Sequence, residues 1–138
     1  MKKKLSSARL LIAIFSLLLI LHALAVATGW YRVISWYDIV LHYIGGFFSA
    51  IFFFYIFGNT RCKQYANFLE NKWVTLVLTV SFVALIGVLW EVFEFSFDHL
   101  IAARYGIDMS QLGLVDTMGD LVVDLLGGLA AGLLFVLL

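Results

Sequence analysis

The chain has 138 residues, of which 64% are hydrophobic, and its nine basic and nine acidic residues give a formal net charge of zero. Soluble domains are about 45–50% apolar, so one aqueous core cannot hide this composition, and we expect an integral membrane protein. The sequence contains no basic tract suited to nucleic acid. We therefore expect neither a nucleic-acid partner nor a separate soluble catalytic domain.

Four apolar stretches predict helices that span a membrane. Each holds about 20 residues, which matches the roughly 30 Å hydrocarbon core of a bilayer. Helices are expected because an open sheet cannot satisfy its edges in lipid. The predicted spans are Ala8–Thr28, Tyr37–Phe57, 73–95 and 117–138. The predicted fold class is therefore all-α, a polytopic membrane four-helix bundle that forms a single domain within the lipid bilayer.

The distribution of charge predicts the orientation of this bundle. Segments 1–9 and 58–72 hold the excess of lysine and arginine, and the positive-inside rule assigns such segments to the cytoplasm. With four spans, both termini then face the cytoplasm of an inner (plasma) membrane. Amphipathic aromatic rings favour the membrane interface, and a group of them is predicted at the outer face: Trp30, Tyr31, Trp36 and Tyr37.

The first span has an alternative interpretation as a cleaved secretory signal. Basic residues 2–4, the apolar run and the small residues 25–27 resemble a signal with its cleavage site. Against this, the run is long for a signal, and His22 interrupts it. Cys62 is the only cysteine, which excludes a disulfide framework and a thiolate metal cluster.

Ionisable residues recur at helical spacing in the three later spans. They are Asp38 and His42 in the second, Glu91, Glu94 and Asp98 at the end of the third, and Asp116, Asp120 and Asp124 in the fourth. Successive helical residues are about 100° apart, so each set shares one face of its helix. His22 reaches a similar depth from the first span. We predict one polar cluster at the outer end of the bundle.

The predicted cluster needs a positive counterpart, because carboxylates at membrane depth are costly and mark functional sites by default. They must protonate, share protons or bind a cation. Carboxylates with an imidazole suit Zn, Mn or Fe, whereas oxygen ligands alone suit Mg or Ca. We therefore predict a divalent cation as the candidate cofactor. The principal candidate ligands are Asp38, His42, Glu91, Glu94, Asp120 and Asp124, and the secondary ones are His22, Asp98 and Asp116.

Plainer structural roles compete with this hypothesis. The acids nearest the helix ends, Asp38, Glu94, Asp98 and Asp116, could be solvated among lipid headgroups. Asp38 and Asp116 could also cap their helices, and His22 could be a packing residue. Segment 96–116 is predicted to form a short outer helix or a lid, with turns at Gly106 and Gly113. Small residues allow close approach of helices, and the predicted packing positions are Gly45, Gly46, Gly128 and Gly132.

Three motifs in chain order resemble those of the YjdF-like and VanZ-like small membrane proteins. They are Asp38-Ile-Val-Leu-His42-Tyr-Ile-Gly45-Gly46, Glu91-Val-Phe-Glu94-Phe95, and Asp116-Thr-Met-Gly-Asp120-Leu-Val-Val-Asp124-Leu-Leu-Gly127-Gly128. The similarity covers about residues 37–132 and is at the level of the superfamily. VanZ-like proteins usually have a glutamine after the acidic pair, where this chain has Phe95, and YjdF-like proteins usually have more spans. The resemblance implies a bacterial or archaeal membrane protein; VanZ-like proteins are associated with lowered susceptibility to glycopeptides such as teicoplanin.

Three functional hypotheses remain open at this point. The first is a binding or envelope-modifying protein that holds a divalent cation, with a lipid or glycolipid headgroup as a further partner. The second is a small membrane enzyme acting on a lipid-linked substrate, with Glu91 or Asp120 as base and His42 as acid or ligand. The third is a proton- or cation-coupled transporter, for which four helices would need to form a homo-oligomer. Against it, the inner half of the bundle offers almost no ionisable residues, so no path for the ion continues through.

Overall fold

The computed structural model describes residues 2–58 and 70–137, and within them the side chains from residue 8 onward. The described chain consists of helices and turns, without strands. Its four long helices are α1 (Lys2–Thr28), α2 (Tyr37–Phe57), α3 (Lys72–Phe97) and α4 (Leu114–Leu137). Each contains a stretch long and apolar enough to cross a membrane, which confirms the predicted fold class. Predictions about the polar loop, including Cys62, lie outside the described residues.

The third helix extends further than the predicted span 73–95. Asn71 caps its beginning, where the side-chain oxygen accepts hydrogen bonds from the backbone N–H groups of Trp73 and Val74. Beyond Phe97 the helix continues through a π-helical turn (Asp98–Ala102) and one α turn (Ala103–Tyr105). It ends at Gly106, whose φ of 66° lies in the left-handed region. The continuous helical segment is therefore 34 residues long.

Glycines set the spacing between α2 and α4, the most closely packed pair. A Cβ atom at Gly46 would overlap the carbonyl oxygen of Asp124, and one at Gly127 would overlap the carbonyl oxygen of Tyr43. These are contacts between backbones, which no side-chain rotation can relieve. They bring the polar faces of the two helices together.

Two of the other predicted packing glycines hold α4 against α3. A Cβ at Gly128 would come within 2.6 Å of the Val83 side chain, and one at Gly132 within 3.0 Å of Leu76. Gly45 differs, because its nearest neighbour is a carboxylate oxygen of Asp124 at an ordinary 3.8 Å. Gly45 therefore borders the polar face of α4, and Gly46 makes the close backbone contact with that helix.

Helix α1 lies at the periphery of the bundle. It packs on α2 and on the short helix Trp30–Val33, and many of its large apolar side chains remain exposed, as expected for a helix that faces lipid. Near its C-terminal end, Ala25 and Val26 form a small buried cluster with Tyr31. These apolar contacts hold the C-terminal end of α1 against Tyr31. Towards the N-terminus of α1, a cleft separates this helix from α2 and α3.

Candidate functional site: a buried carboxylate–histidine cluster

His42 lies at the centre of the polar site and is only 6% exposed. Its Nδ1 atom is 3.4 Å from Asp124 Oδ2 on α4. Its Nε2 atom is 3.5 Å from Asp38 Oδ1, one turn earlier on α2, and 4.0 Å from Glu91 Oε1 on α3. One imidazole thus contacts carboxylates from three helices.

The six principal candidates of the sequence analysis lie together around this imidazole. Two overlapping groups share His42, one with Asp38 and Asp120 and the other with Glu91 and Glu94. Within each group, one potential ligand atom per residue lies within 4.8 Å of the others. We call the full set the carboxylate–histidine cluster: Asp38, His42, Glu91, Glu94, Asp120 and Asp124. It lies where α1 and α3 approach their C-terminal ends and α2 and α4 begin.

Four of the five carboxyl groups of the cluster belong to buried residues, although ionised carboxylates are usually solvent-exposed. Glu91, Glu94, Asp120 and Asp124 are each 4–5% exposed, so the suggestion that Glu94 is solvated among headgroups is wrong. Within the described residues, the ion pairs of the cluster all involve histidine, whereas Arg32 pairs with Asp108 at the surface. Five carboxyl groups therefore surround one central imidazole without a lysine or arginine partner in the described part of the chain.

Glu91 carries the most distinctive atom of the cluster. Its Oε2 accepts a hydrogen bond of 3.0 Å from the side-chain amide of Gln111. Its Oε1 is buried, has no hydrogen-bond partner in the described structure and faces His42. Buried side-chain oxygens nearly always have a partner, so such an atom requires an explanation, and a bound ion is one of the recognised kinds.

His22 joins the site through Glu94. Its Nδ1 atom is 2.7 Å from the Tyr31 hydroxyl and 3.5 Å from Glu94 Oε1, and the ring meets Trp90 edge-on. Burial, together with the neighbouring carboxyls of Asp38 and Glu94, raises the pKa of Tyr31. The phenol therefore stays protonated and available as a hydrogen-bonding group. His22 thus has the packing role proposed for it and also contacts the edge of the cluster.

Asp98 lies outside the cluster and organises the following loop. It is 1% exposed, so the suggestion that it is solvated among headgroups is also wrong. Its carboxylate accepts hydrogen bonds from the backbone N–H groups of Ser110 and Gln111, at 3.2 and 2.9 Å, and from the Ser110 hydroxyl at 3.3 Å. These bonds hold segment 106–113, which we call the lid, against the end of α3.

Asp116 has a capping role at the beginning of α4. Its carboxylate accepts a 2.8 Å hydrogen bond from the backbone N–H of Leu112, which is a capping role close to the one suggested from the sequence. Asp38 makes no equivalent bond at the beginning of α2; it faces His42.

Two further participants have roles that the sequence does not reveal. Gln111 is one polar residue in a mixed segment, and only the folded lid places its amide on Glu91. Gly87 leaves space for a carboxylate, since a Cβ there would lie 2.7 Å from Asp124 Oδ2. A glycine within an apolar span indicates close packing in general, which does not reveal this particular neighbour.

The fold and the composition define a polytopic all-α integral membrane protein. The chain belongs to the family described as "Predicted membrane protein (DUF2238)", whose family model matches residues 1–138. This match identifies a family of membrane proteins. It does not show that the chain belongs to the YjdF-like or VanZ-like proteins.

One relative is an "Uncharacterized protein" of Thermotoga maritima, with 32% identity over 99 residues. The alignment covers 72% of this chain and 47% of the relative, so the chain spans about half the length of that curated protein. No solved structure matches the chain.

Proposed function

We propose that this protein binds a divalent cation in its carboxylate–histidine cluster. The observation that carries the proposal is Glu91 Oε1, a buried carboxylate oxygen without a hydrogen-bond partner that faces an imidazole. Burying a charged group without compensation is costly, and a cation between Glu91 and His42 would compensate both this atom and its acidic neighbours. Mixed imidazole and carboxylate ligands favour Zn, Mn or Fe over Mg or Ca.

The contacts of His42 support Nε2 as its ligating atom. An Nδ1–H directed at Asp124 would leave the Nε2 lone pair free, on the side where Asp38 and Glu91 lie. Metal-binding histidines commonly donate their other N–H to a carboxylate, which fixes the tautomer and the orientation of the ring. In this arrangement Asp124 orients the histidine, and ligands come from Asp38, Glu91 and their neighbours Glu94 and Asp120.

The proposed orientation places the site near the outer face of the cell membrane. The lysines of the first nine residues favour a cytoplasmic N-terminus. The four spans then put the C-terminus on the same side. The cluster lies at the opposite end, and with it the lid and the aromatic residues 30–37. A cation would accordingly be drawn from the exterior.

Metal analysis of purified protein tests the proposal, with Glu91→Gln as the informative variant. We expect about one divalent ion per chain in the wild type and an affinity lower by at least about 100-fold in the variant, since loss of a ligand outweighs the 10–100-fold effect typical of an outer-shell partner. The matched control is Glu70→Gln, because Glu70 is exposed. A wild-type protein that stays metal-free after incubation with Zn, Mn and Fe would contradict the proposal.

A further inference from the structure

A cleft runs along the membrane-facing side of the bundle between α1, α2 and α3. Its volume is about 480 Å³, within the roughly 300–1,000 Å³ of sites that hold one small ligand. Its walls are apolar over most of their length, for example at Phe15 and Leu18 on α1, Phe52 on α2 and Ile86 on α3. A long apolar trough at the surface of a membrane protein suits a hydrocarbon chain.

One end of this cleft reaches the ionisable residues. Its lining includes His42, Asp38 and Asp124 of the cluster, together with His22. The apolar walls and these polar groups thus form one continuous cavity. A molecule that fits this cavity has a long apolar part and a polar group at one end.

The lid covers the cluster on its other side. Gln111 donates to Glu91, and the carboxylate of Asp98 holds Ser110 and Gln111 in place. Helix α1, which forms one wall of the cleft, packs loosely and exposes much of its surface. The cleft is therefore the more open path to His42, and it leads from the lipid phase.

We propose that the cleft binds the hydrocarbon chain of a phosphate-bearing membrane lipid, whose phosphate reaches the cation held by the cluster. This inference rests on the proposed function, because the acidic cluster alone would repel an anionic head, whereas a divalent cation attracts phosphate oxygen. The bundle thereby presents the head group of a lipid to a metal ion beneath the lid.

Native mass spectrometry in detergent tests the inference with dioleoyl phosphatidic acid as the probe. Dioleoyl glycerol, which has the same chains and no phosphate, is the comparison lipid. We expect cation-loaded protein to bind phosphatidic acid and to retain dioleoyl glycerol weakly. Ile86→Trp should lower phosphatidic acid binding by about tenfold, because the larger side chain would fill part of the cleft that the hydrocarbon chain occupies. Leu18→Trp, on the opposite wall, should act in the same way if Ile86→Trp fails to fold.

Adjacent positions supply the matched controls. Leu85 and Leu17 precede these residues, lie outside the lining of the cleft and are 56% and 55% exposed. Leu85→Trp and Leu17→Trp should leave lipid binding unchanged, and all four variants should retain the cation.

The metal content of the same samples separates the two proposals. Protein that holds the cation without binding phosphatidic acid would overturn this inference alone, and so would equal binding by metal-free protein. Protein that never takes up a cation would overturn both.

Discussion

Gly127→Ala is expected to lower the free energy of unfolding by about 3 kcal/mol, at the upper end of the usual cost of overpacking. A Cβ at this position would overlap the carbonyl oxygen of Tyr43 and lie 3.0 Å from the backbone nitrogen of Phe47. Both obstacles are backbone atoms of α2. The helices must therefore move apart, because no rotamer change can make room. Denaturant-induced unfolding in mixed micelles measures the loss.

Gly119→Ala is the matched control for this prediction. Gly119 lies on the same helix, and a Cβ there would meet nothing within 4 Å. Because alanine favours helix over glycine, this variant should be as stable as the wild type or slightly more so. In Gly127→Ala, by contrast, the separation of α2 from α4 should also weaken cation binding, since Asp124 and His42 lie on opposite sides of the contact. Equal stability of the two variants would contradict the close packing.

Asp98→Asn is expected to destabilise the protein by about 3 kcal/mol, because hydrogen bonds to a charged group contribute about 1.5–3 kcal/mol each. The carboxylate is buried and accepts bonds from two backbone N–H groups and one hydroxyl. The introduced amide turns one acceptor into a donor that faces these donors. Thermal unfolding measures the effect, and amide hydrogen exchange in segment 106–113 should accelerate as the lid opens.

Asp108→Asn provides the same chemical change at a partly exposed position. Asp108 pairs with Arg32 at 2.9 Å, and the two side chains are 39% and 57% exposed. Exposed ion pairs contribute about 0–1 kcal/mol, so the stability should hardly change. If both variants shifted the unfolding transition equally, Asp98 would not have the buried anchoring role described above.

The spans and the convergence of the polar faces could be predicted because both follow from spacing along a helix. Apolar runs long enough for a bilayer gave the four helices. The interval of four residues between Asp38 and His42, and between Asp120 and Asp124, gave their shared faces. The roles of individual residues within those faces depend on contacts between helices, which spacing alone does not specify.

Other features depend on tertiary contacts that leave little trace in the sequence. Gly45 and Gly46 are neighbours, yet about 100° of helix rotation separates them, so only Gly46 meets the backbone of α4. Asp98 continues the acidic face of α3, but the π-helical turn and the lid give it backbone donors as partners. The predicted span ends before α3 does, because a segment of mixed polar and apolar residues resembles a loop, although no glycine interrupts it before Gly106.

X-ray absorption spectroscopy at the absorption edge of the bound metal tests cation binding by the cluster most directly. Zn-loaded protein should show nitrogen and oxygen ligands at about 2.0–2.2 Å, with the outer-shell scattering of an imidazole that is lost in His42→Ala. Sulfur at about 2.3 Å would assign the metal to Cys62 instead. That result, or an imidazole signature that survives the loss of His42, would contradict a metal site at the cluster.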